Sequence, residues 1–154
     1  ALVVGRENDT RIAKWIKKEY LKLPDNFESY KVVVPKSNGS GHFGESLSSP
    51  FVAAPFHAQN TTFLSIGKFD SIFEAEACLK YIKTKFVRCM LGILKVTQDN
   101  PKSVWSKVPL QNFTQQSGIN WDLSIPELDA ALYQKYNLTQ DEIDFIESNV
   151  SAMQ

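Results

Sequence analysis

The spacing of apolar positions predicts strands and helices along the whole chain. Short runs of β-branched and aromatic residues predict strands ending near residue 5, over 30–34 and over 62–66. Apolar residues that recur every three or four positions predict helices over about 9–23 and from 71 to about 96. The pattern therefore indicates a helix-rich α+β chain with a small β-sheet.

The predicted first helix carries two neighbouring stripes of side chains. Asn8 or Asp9 can cap its start, and the segment 24–26 (Pro-Asp-Asn) ends it. We expect the apolar stripe to pack in the core. It consists of Ile12, Trp15, Ile16, Tyr20 and Leu23. The basic stripe beside it consists of Arg11, Lys14, Lys18 and Lys22.

Three capping boxes mark the starts of later helices. They are Ser71 with Glu74, Ser124 with Glu127, and Thr139 with Glu142. The helix from Ser71 is apolar nearly all round over 87–94, so we expect that half to be deeply buried. Pro101 suits the first position of a short helix, and Asn137 can end the helix that follows Ser124.

The organisation predicted from these elements is one domain over 1–154, with an α+β core over 1–110 and a C-terminal helical tail over 111–154. The tail forms a helical hairpin with an acidic surface. The abrupt start in a strand predicts that the chain is a piece of a longer protein. Since no basic region followed by an apolar run opens the chain, we expect a cytoplasmic location.

A long stretch over 36–61, rich in Gly, Ser, Pro, Asn and His, predicts an irregular loop of functional importance. Gly39-x-Gly41-x-x-Gly44 within it matches the dinucleotide-binding fingerprint. That fingerprint needs a helix directly after the glycines to hold the phosphate, and the residues up to Pro50 do not predict one. The sequence therefore favours a flexible loop over a nucleotide site.

Charge is balanced in total and uneven in distribution. The chain has 17 basic and 17 acidic residues, whereas a free-standing DNA-binding domain is usually basic. Basic residues dominate over 80–107 and acidic residues over 108–154. This distribution suggests one charged binding face and one solvated face.

Few residues are suited to catalysis or metal binding. Cys78 and Cys89 fall in one predicted helix, about 16 Å apart along its axis, so we expect two buried thiols and no disulfide. With His42 and His57 they do not form a zinc pattern. Composition leaves a Ser–His–Asp site open, but no Gly-x-Ser-x-Gly elbow occurs, and the acidic residues lack nuclease spacing. We therefore predict no catalytic residue and no metal site on this chain.

The basic residues are the strongest functional signal. Lys, Ser, Asn and His side chains on a glycine-containing loop can contact phosphates or base edges. The candidate DNA contacts are Lys36, Ser37, Asn38, Ser40 and His42 on the loop, Arg11, Lys14 and Lys18 on the first helix, and Lys83, Lys85 and Arg88 in the long helix. The residues alone leave DNA contact and a plain solvated face equally open.

Several sequence segments resemble those of one protein family. They are KVVVPKSNGSGHFG (31–44), TFLSIGKF (62–69), EAEACLKYIKTKFVRCMLGILKVTQ (74–98) and WSKVPLQNF (105–113), extended by Ile119-Asn120-Trp121 with Leu132, Tyr133 and Tyr136. Together they resemble the C-terminal target-recognition region of adenine-specific DNA methyltransferases of bacterial restriction–modification systems, some of which also contain a nuclease. The resemblance covers most of the chain.

The resemblance implies recognition of double-stranded DNA for a catalytic domain elsewhere in the parent protein. Asn100-Pro101-Lys102 is not the family's Asn-Pro-Pro-Tyr tetrad, so methyl transfer and S-adenosylmethionine are expected in that domain and no cofactor on this chain. The implied partners are DNA and the catalytic domain, and no membrane. Two alternatives remain, a protein-interaction domain that docks through its acidic hairpin and a cut-down methyltransferase or nuclease.

Overall fold

The computed structural model describes residues 1–8, 10–37, 43–44, 47–94, 99 and 101–153. Its strands are β1 (Leu2–Glu7), β2 (Thr10–Trp15), β3 (Tyr30–Pro35), β4 (Phe51–Ala53), β5 (His57–Gln59) and β6 (Phe63–Phe69). Its helices are α1 (Ile72–Lys83), α2 (Lys85–Leu94), α3 (Lys102–Trp105), α4 (Ile125–Lys135) and α5 (Gln140–Asn149), with a 3-10 turn at Lys18–Tyr20. The predicted α+β class is confirmed.

The strands form two small sheets, ordered β2-β1-β5 and β4-β3-β6. The central strand β3 is buried on both faces, which explains its continuous apolar run. Val32 and Val34 pack with the helices, while Val33 packs with Val4 of the first sheet and Phe63 of β6. The second sheet therefore lies between the helical layer and the first sheet.

The helix predicted over about 9–23 is wrong. Residues Thr10–Trp15 form β2, which pairs antiparallel with β1 from Leu2↔Trp15 to Glu7↔Thr10. Asn8 adopts a positive φ of 48°, the conformation that two-residue hairpin links require and Asn tolerates. The hairpin prevails because β1 needs a strand partner, and this long-range need outweighs helical spacing in a short segment.

The helix predicted from Ser71 begins there, with the Ser71 hydroxyl accepting a hydrogen bond from the Glu74 N–H at 3.2 Å, but the prediction of one unbroken helix is wrong, because it is broken at Thr84. The Thr84 hydroxyl donates to Tyr81 O at 2.7 Å, and α2 begins after it. The Asp129 carboxylate of α4 accepts hydrogen bonds from the backbone N–H groups of Lys85 (3.1 Å) and Phe86 (2.9 Å). Two caps thus start α2, the Thr84 hydroxyl, which accepts a hydrogen bond from the Val87 N–H at 3.3 Å, and a carboxylate 44 residues away along the chain.

The remaining local predictions have mixed outcomes. The capping boxes at the starts of α4 and α5 are confirmed, and Asn137 follows α4 with a φ of 51°. Helix α3 begins at Lys102, directly after Pro101. The stretch 36–61 was predicted as a loop throughout, whereas it contains strands β4 and β5. Very short strands of three residues leave little periodicity in the sequence.

One large core joins the C-terminal region to the rest of the molecule. Leu128 and Leu132 of α4 are fully buried in the same cluster as Val32 of β3 and Val87 of α2. Trp121 packs its ring 5.1 Å from Phe113 and 6.1 Å from Tyr81. The predicted tail over 111–154 therefore shares its core with the preceding elements. Within the described ranges, every helix is too short or too polar to cross a membrane.

Candidate nucleic-acid interface

The β1–β2 hairpin presents an exposed edge. Strand β2 is the last strand of its sheet in the described part of the chain, and five of its six residues are exposed. Only Ile12 is half-buried. Since one edge of β2 faces solvent, its side chains and backbone can reach a ligand.

Two large aromatic side chains near the end of this hairpin face solvent. Trp15 is 81% exposed and Tyr20 is 74% exposed. They alternate with Lys14, Lys17 and Lys22, which are also exposed. We call these five residues, which all fall within residues 14–22, the basic–aromatic surface. Because successive side chains of a strand alternate, Lys14 and Trp15 point to opposite faces of β2. Exposed aromatics beside cations are typical of surfaces that bind nucleic acid, where rings contact bases and ammonium groups contact phosphates.

The charges around this surface leave it positive. Residues 10–23 contain five basic side chains and one acidic side chain, for a net charge of 5 − 1 = +4. Lys14 pairs with Glu7 at 3.4 Å and Lys17 with Glu19 at 3.6 Å, all four being exposed. Solvent-exposed ion pairs are weak, so these lysines can exchange their carboxylate partners for phosphates at little cost.

Arg11 connects the hairpin to the second sheet. Its guanidinium lies 4.2 Å from the centroid of the Phe51 ring and donates to Ser49 O at 2.6 Å. Arg11 stands opposite Arg6 in the strand register, so both arginines lie on one face of the hairpin. Arg11 therefore orients this face, and its remaining exposed N–H groups can still contact a ligand.

A polar cleft of about 580 Å³ adjoins the hairpin tip. The backbone N–H of Lys36 donates to Thr62 O at 2.9 Å, and Ser37 forms a β-bridge with Asp99, which places the start of the predicted loop beside Arg6. The cleft is lined by Arg6, Asn8, Pro35, Lys36, Ser37, Thr62 and Asp99. Two elements far apart in sequence thus bring two cations and several hydrogen-bonding groups together.

Lys18 is partly committed to packing. Its ammonium group lies 5.1 Å from the ring centroid of Phe27 and 5.0 Å from that of Phe56, whose rings meet edge to face. A cation held between two aromatic rings is stabilised there. Lys18 therefore contributes less to a DNA surface than the lysines of the basic–aromatic surface.

The three predicted contacts in the middle of the chain lie away from solvent or in ion pairs. Arg88 is only 3% exposed, and its guanidinium donates to the backbone oxygens of Lys83, Gly44 and Ser151. Lys85 pairs with Glu147 at 2.5 Å, and Lys83 is half-buried. Arg88 and Lys85 thus hold the helices and the C-terminal segment together, so these two lie outside the proposed interface.

Three predicted contacts, Asn38, Ser40 and His42, lie outside the described residues, as do Gly39 and Gly41 of the fingerprint. The flanking Phe43 packs against Phe145 of α5 with ring centroids 5.7 Å apart. Gly44 has a φ of 82°, and a Cβ there would lie 3.0 Å from Asn149 O. Gly44 therefore serves close packing against the end of α5, and residues 47–50 are not helical.

The described residues show no other reactive centre. They contain no cluster of three or more His, Cys, Asp or Glu side chains that could hold a metal ion. Cys78 and Cys89 are free and buried, and burial raises the pKa of Cys78 to about 12 and also raises that of Cys89. Thiols with raised pKa values are poor nucleophiles at neutral pH. His57 Nδ1 lies 3.0 Å from Ala54 O, in a local turn.

Sequence reasoning missed four residues of the interface, namely Arg6, Trp15, Lys17 and Tyr20. Trp15 was predicted to be core because it fitted a helical stripe, whereas its indole is exposed. The missed signal is Asn8-Asp9 between two strand-like runs, LVVGRE and TRIAKW, which predicts a two-residue hairpin. Of the other large aromatic side chains, Phe86 is 6% exposed and Trp105 is half-buried.

Comparisons with protein-family models, with curated proteins and with solved structures found no match to this chain. The resemblance to methyltransferase recognition regions therefore stays a prediction.

Proposed function

We propose that this chain binds double-stranded DNA through the basic–aromatic surface at the open end of the β1–β2 hairpin and the polar cleft at its tip. The observation that carries the proposal is the exposure of Trp15 and Tyr20 among lysines on an edge hairpin. Trp and Tyr are enriched at binding interfaces, because their large rings supply contact area. The surrounding net charge of +4 in residues 10–23 favours a polyanionic ligand.

The tip of the β1–β2 hairpin, beyond the pairing of Leu2–Val4 with β5, is a two-stranded ribbon, a shape that duplex DNA accepts. The major groove is about 12 Å wide and admits a two-stranded β-ribbon. Lys14, Lys17 and Lys22 would contact phosphates and set the register. Arg6 and Lys36, at the cleft, would reach base edges or phosphates next to the ribbon.

The distribution of charge supports a defined orientation on DNA. Residues 108–154 contain one basic and seven acidic side chains, for a net charge of 1 − 7 = −6. A molecule with a positive hairpin and a negative C-terminal region would approach DNA with the hairpin first. A net charge of zero for the whole chain is therefore compatible with a DNA-binding face.

The biological role we propose is target recognition for an adenine-specific DNA methyltransferase of a restriction–modification system. This role is supported by the resemblance of several sequence segments of the chain to that family's C-terminal region. Methyl transfer, with S-adenosylmethionine, would take place in a catalytic domain elsewhere in the parent protein. This chain would bind the duplex beside the target adenine, and the catalytic domain would supply the contacts that extrude the adenine from the duplex.

Fluorescence anisotropy with a mixed-sequence duplex of roughly 25 base pairs, across a salt series, tests DNA binding. We expect affinity to fall steeply with salt, with a slope of about −0.9 per phosphate contacted. The triple variant Lys14→Ala, Lys17→Ala, Lys22→Ala should reduce that slope by about 3. Trp15→Ala should weaken binding about tenfold, as expected for loss of one aromatic contact.

The matched control is Lys68→Ala with Lys107→Ala, which removes two exposed lysines outside the hairpin. It should leave affinity and slope unchanged within about twofold. Equal loss of binding in the control and the triple variant would contradict a localised interface. Tighter binding to single-stranded DNA of the same length would overturn the duplex assignment, because stacking alone would then explain the exposed rings.

A further inference from the structure

An apolar groove lies between α2 and α5, built from residues that the DNA proposal does not use. Its volume is about 480 Å³, within the range of sites that receive ligand or partner side chains. Met90 and Ile93 of α2 form one wall, and Phe145 and Ile146 of α5 form the other. Tyr136, at the end of α4, also lines it and stacks on Phe86 at 5.0 Å.

The groove exposes apolar surface that packing within the chain leaves uncovered. Ile93 is 65% exposed and Phe145 is 48% exposed. Both lie on helices that also pack in the core, through Leu91 (0%) of α2 and Ile146 (6%) of α5. Covering these two side chains with a partner would remove apolar surface from water and so would favour binding.

The groove also has acidic residues in its lining. Asp141 and Glu142 line it at the start of α5, and α5 contains no basic residue. Hydrogen bonds from the Thr139 backbone and hydroxyl lower the pKa of Glu142, so its carboxylate is ionised at neutral pH. Lys135 lies on the Tyr136 side, where its ammonium donates to Gln111 Oε1 at 2.7 Å. The α5 side of the groove therefore favours a positively charged ligand.

We propose that this groove binds an amphipathic helix of a partner protein, whose apolar face inserts between α2 and α5 and whose flank carries lysine or arginine beside Asp141 and Glu142. Helical walls accept the side-chain ridges of a third helix, and apolar anchors spaced three or four residues apart fill such grooves. Charge complementarity at the α5 side selects a basic partner over an acidic or neutral one. The proposal rests on other residues than DNA binding does and stands independently of it.

The test uses the whole protein and a synthetic fluorescent peptide of about 18 residues, with leucines at helical spacing and lysines elsewhere. We expect saturable binding by anisotropy. A peptide with glutamate in place of lysine, and a scrambled leucine–lysine peptide without an apolar face, should each bind at least about tenfold more weakly.

Two matched variants locate the site. Ile93→Ser should weaken the leucine–lysine peptide at least about tenfold, since it removes an anchor contact from the groove. Ile72→Ser, which alters an isoleucine that is 51% exposed at the start of α1, should leave binding unchanged. Because both isoleucines are exposed, both variants should fold, and their melting temperatures check this.

Three results would overturn the proposal. Equal binding of the lysine and glutamate peptides would show that the acidic side does not select the partner. Equal loss in Ile93→Ser and Ile72→Ser would place the peptide elsewhere. A concentration-dependent dimer in sedimentation that Ile93→Ser abolishes would show that a second copy of this chain fills the groove instead.

Discussion

Arg88 offers a sharp test of whether its buried cation stabilises the fold or contacts DNA. Its guanidinium donates to Lys83 O at 3.1 Å through Nε, to Gly44 O at 3.1 Å through Nη1 and to Ser151 O through Nη2. These oxygens belong to the end of α1, the segment before β4 and the segment after α5. The planar fork of arginine suits three such acceptors, whereas a lysine ammonium is a single point charge.

The magnitude follows from the hydrogen bonds that Arg88→Met would remove. The hydrogen bond to Gly44 O is buried, and a buried acceptor left without a donor costs about 1–3 kcal/mol. The other two are part-buried and contribute about 0.5–1.5 kcal/mol each. We therefore expect a loss of roughly 3 kcal/mol in the free energy of unfolding, or about 10 °C in melting temperature.

Urea denaturation followed by circular dichroism measures this loss. Arg88→Lys should recover only part of the stability, because one ammonium cannot serve all three acceptors. Lys102→Met, at an exposed lysine, is the control and should change stability by less than about 0.5 kcal/mol. An Arg88→Met protein as stable as the wild type, with weakened DNA binding, would refute the structural role and return Arg88 to the DNA interface.

Four further predictions address other elements. Asp129→Ala should destabilise the fold by about 1–2 kcal/mol in denaturant titrations, since it removes the cap of α2, and an unchanged midpoint would contradict that role. Burial raises the pKa of Asp129, so the folded state binds the carboxyl proton more tightly than the unfolded state does. As pH falls toward the ordinary pKa of 3.8, the wild type should therefore gain stability relative to Asp129→Asn. A difference in stability between the two proteins that does not change with pH would argue against the shift. Because Cys78 and Cys89 are buried, the native protein at pH 8 should react slowly with a thiol-reactive disulfide reagent, and the unfolded protein should react with two equivalents of it. Rapid labelling of the thiols before unfolding would count against their burial. Trp15→Phe should remove the emission that acrylamide quenches most and change stability by less than about 0.5 kcal/mol, whereas a large loss of stability would restore Trp15 to the core.

Local signals in the sequence determined several elements of this protein. The capping boxes of α4 and α5 act within four consecutive residues, so they predict helix starts whatever surrounds them. The β-branched run of β3 and the positive φ of Asn137 are local in the same sense. The imbalance between a basic and an acidic part of the chain is likewise visible without a structure.

The tertiary structure alone decided the features that depend on a distant partner. The segment after Asn8 is not one of them, since Asn8-Asp9 between two strand-like runs already indicates the hairpin in which it pairs with β1. The break at Thr84 has a local part, since the Thr84 hydroxyl accepts a hydrogen bond from the Val87 N–H, whereas the second cap, the Asp129 carboxylate, cannot be found from nearby residues. The surroundings of a basic side chain are also long-range, so sequence could not distinguish buried Arg88 from exposed Lys14. Neighbouring residues determine backbone preference and helix caps, whereas burial and strand pairing arise from contacts between segments far apart in the chain.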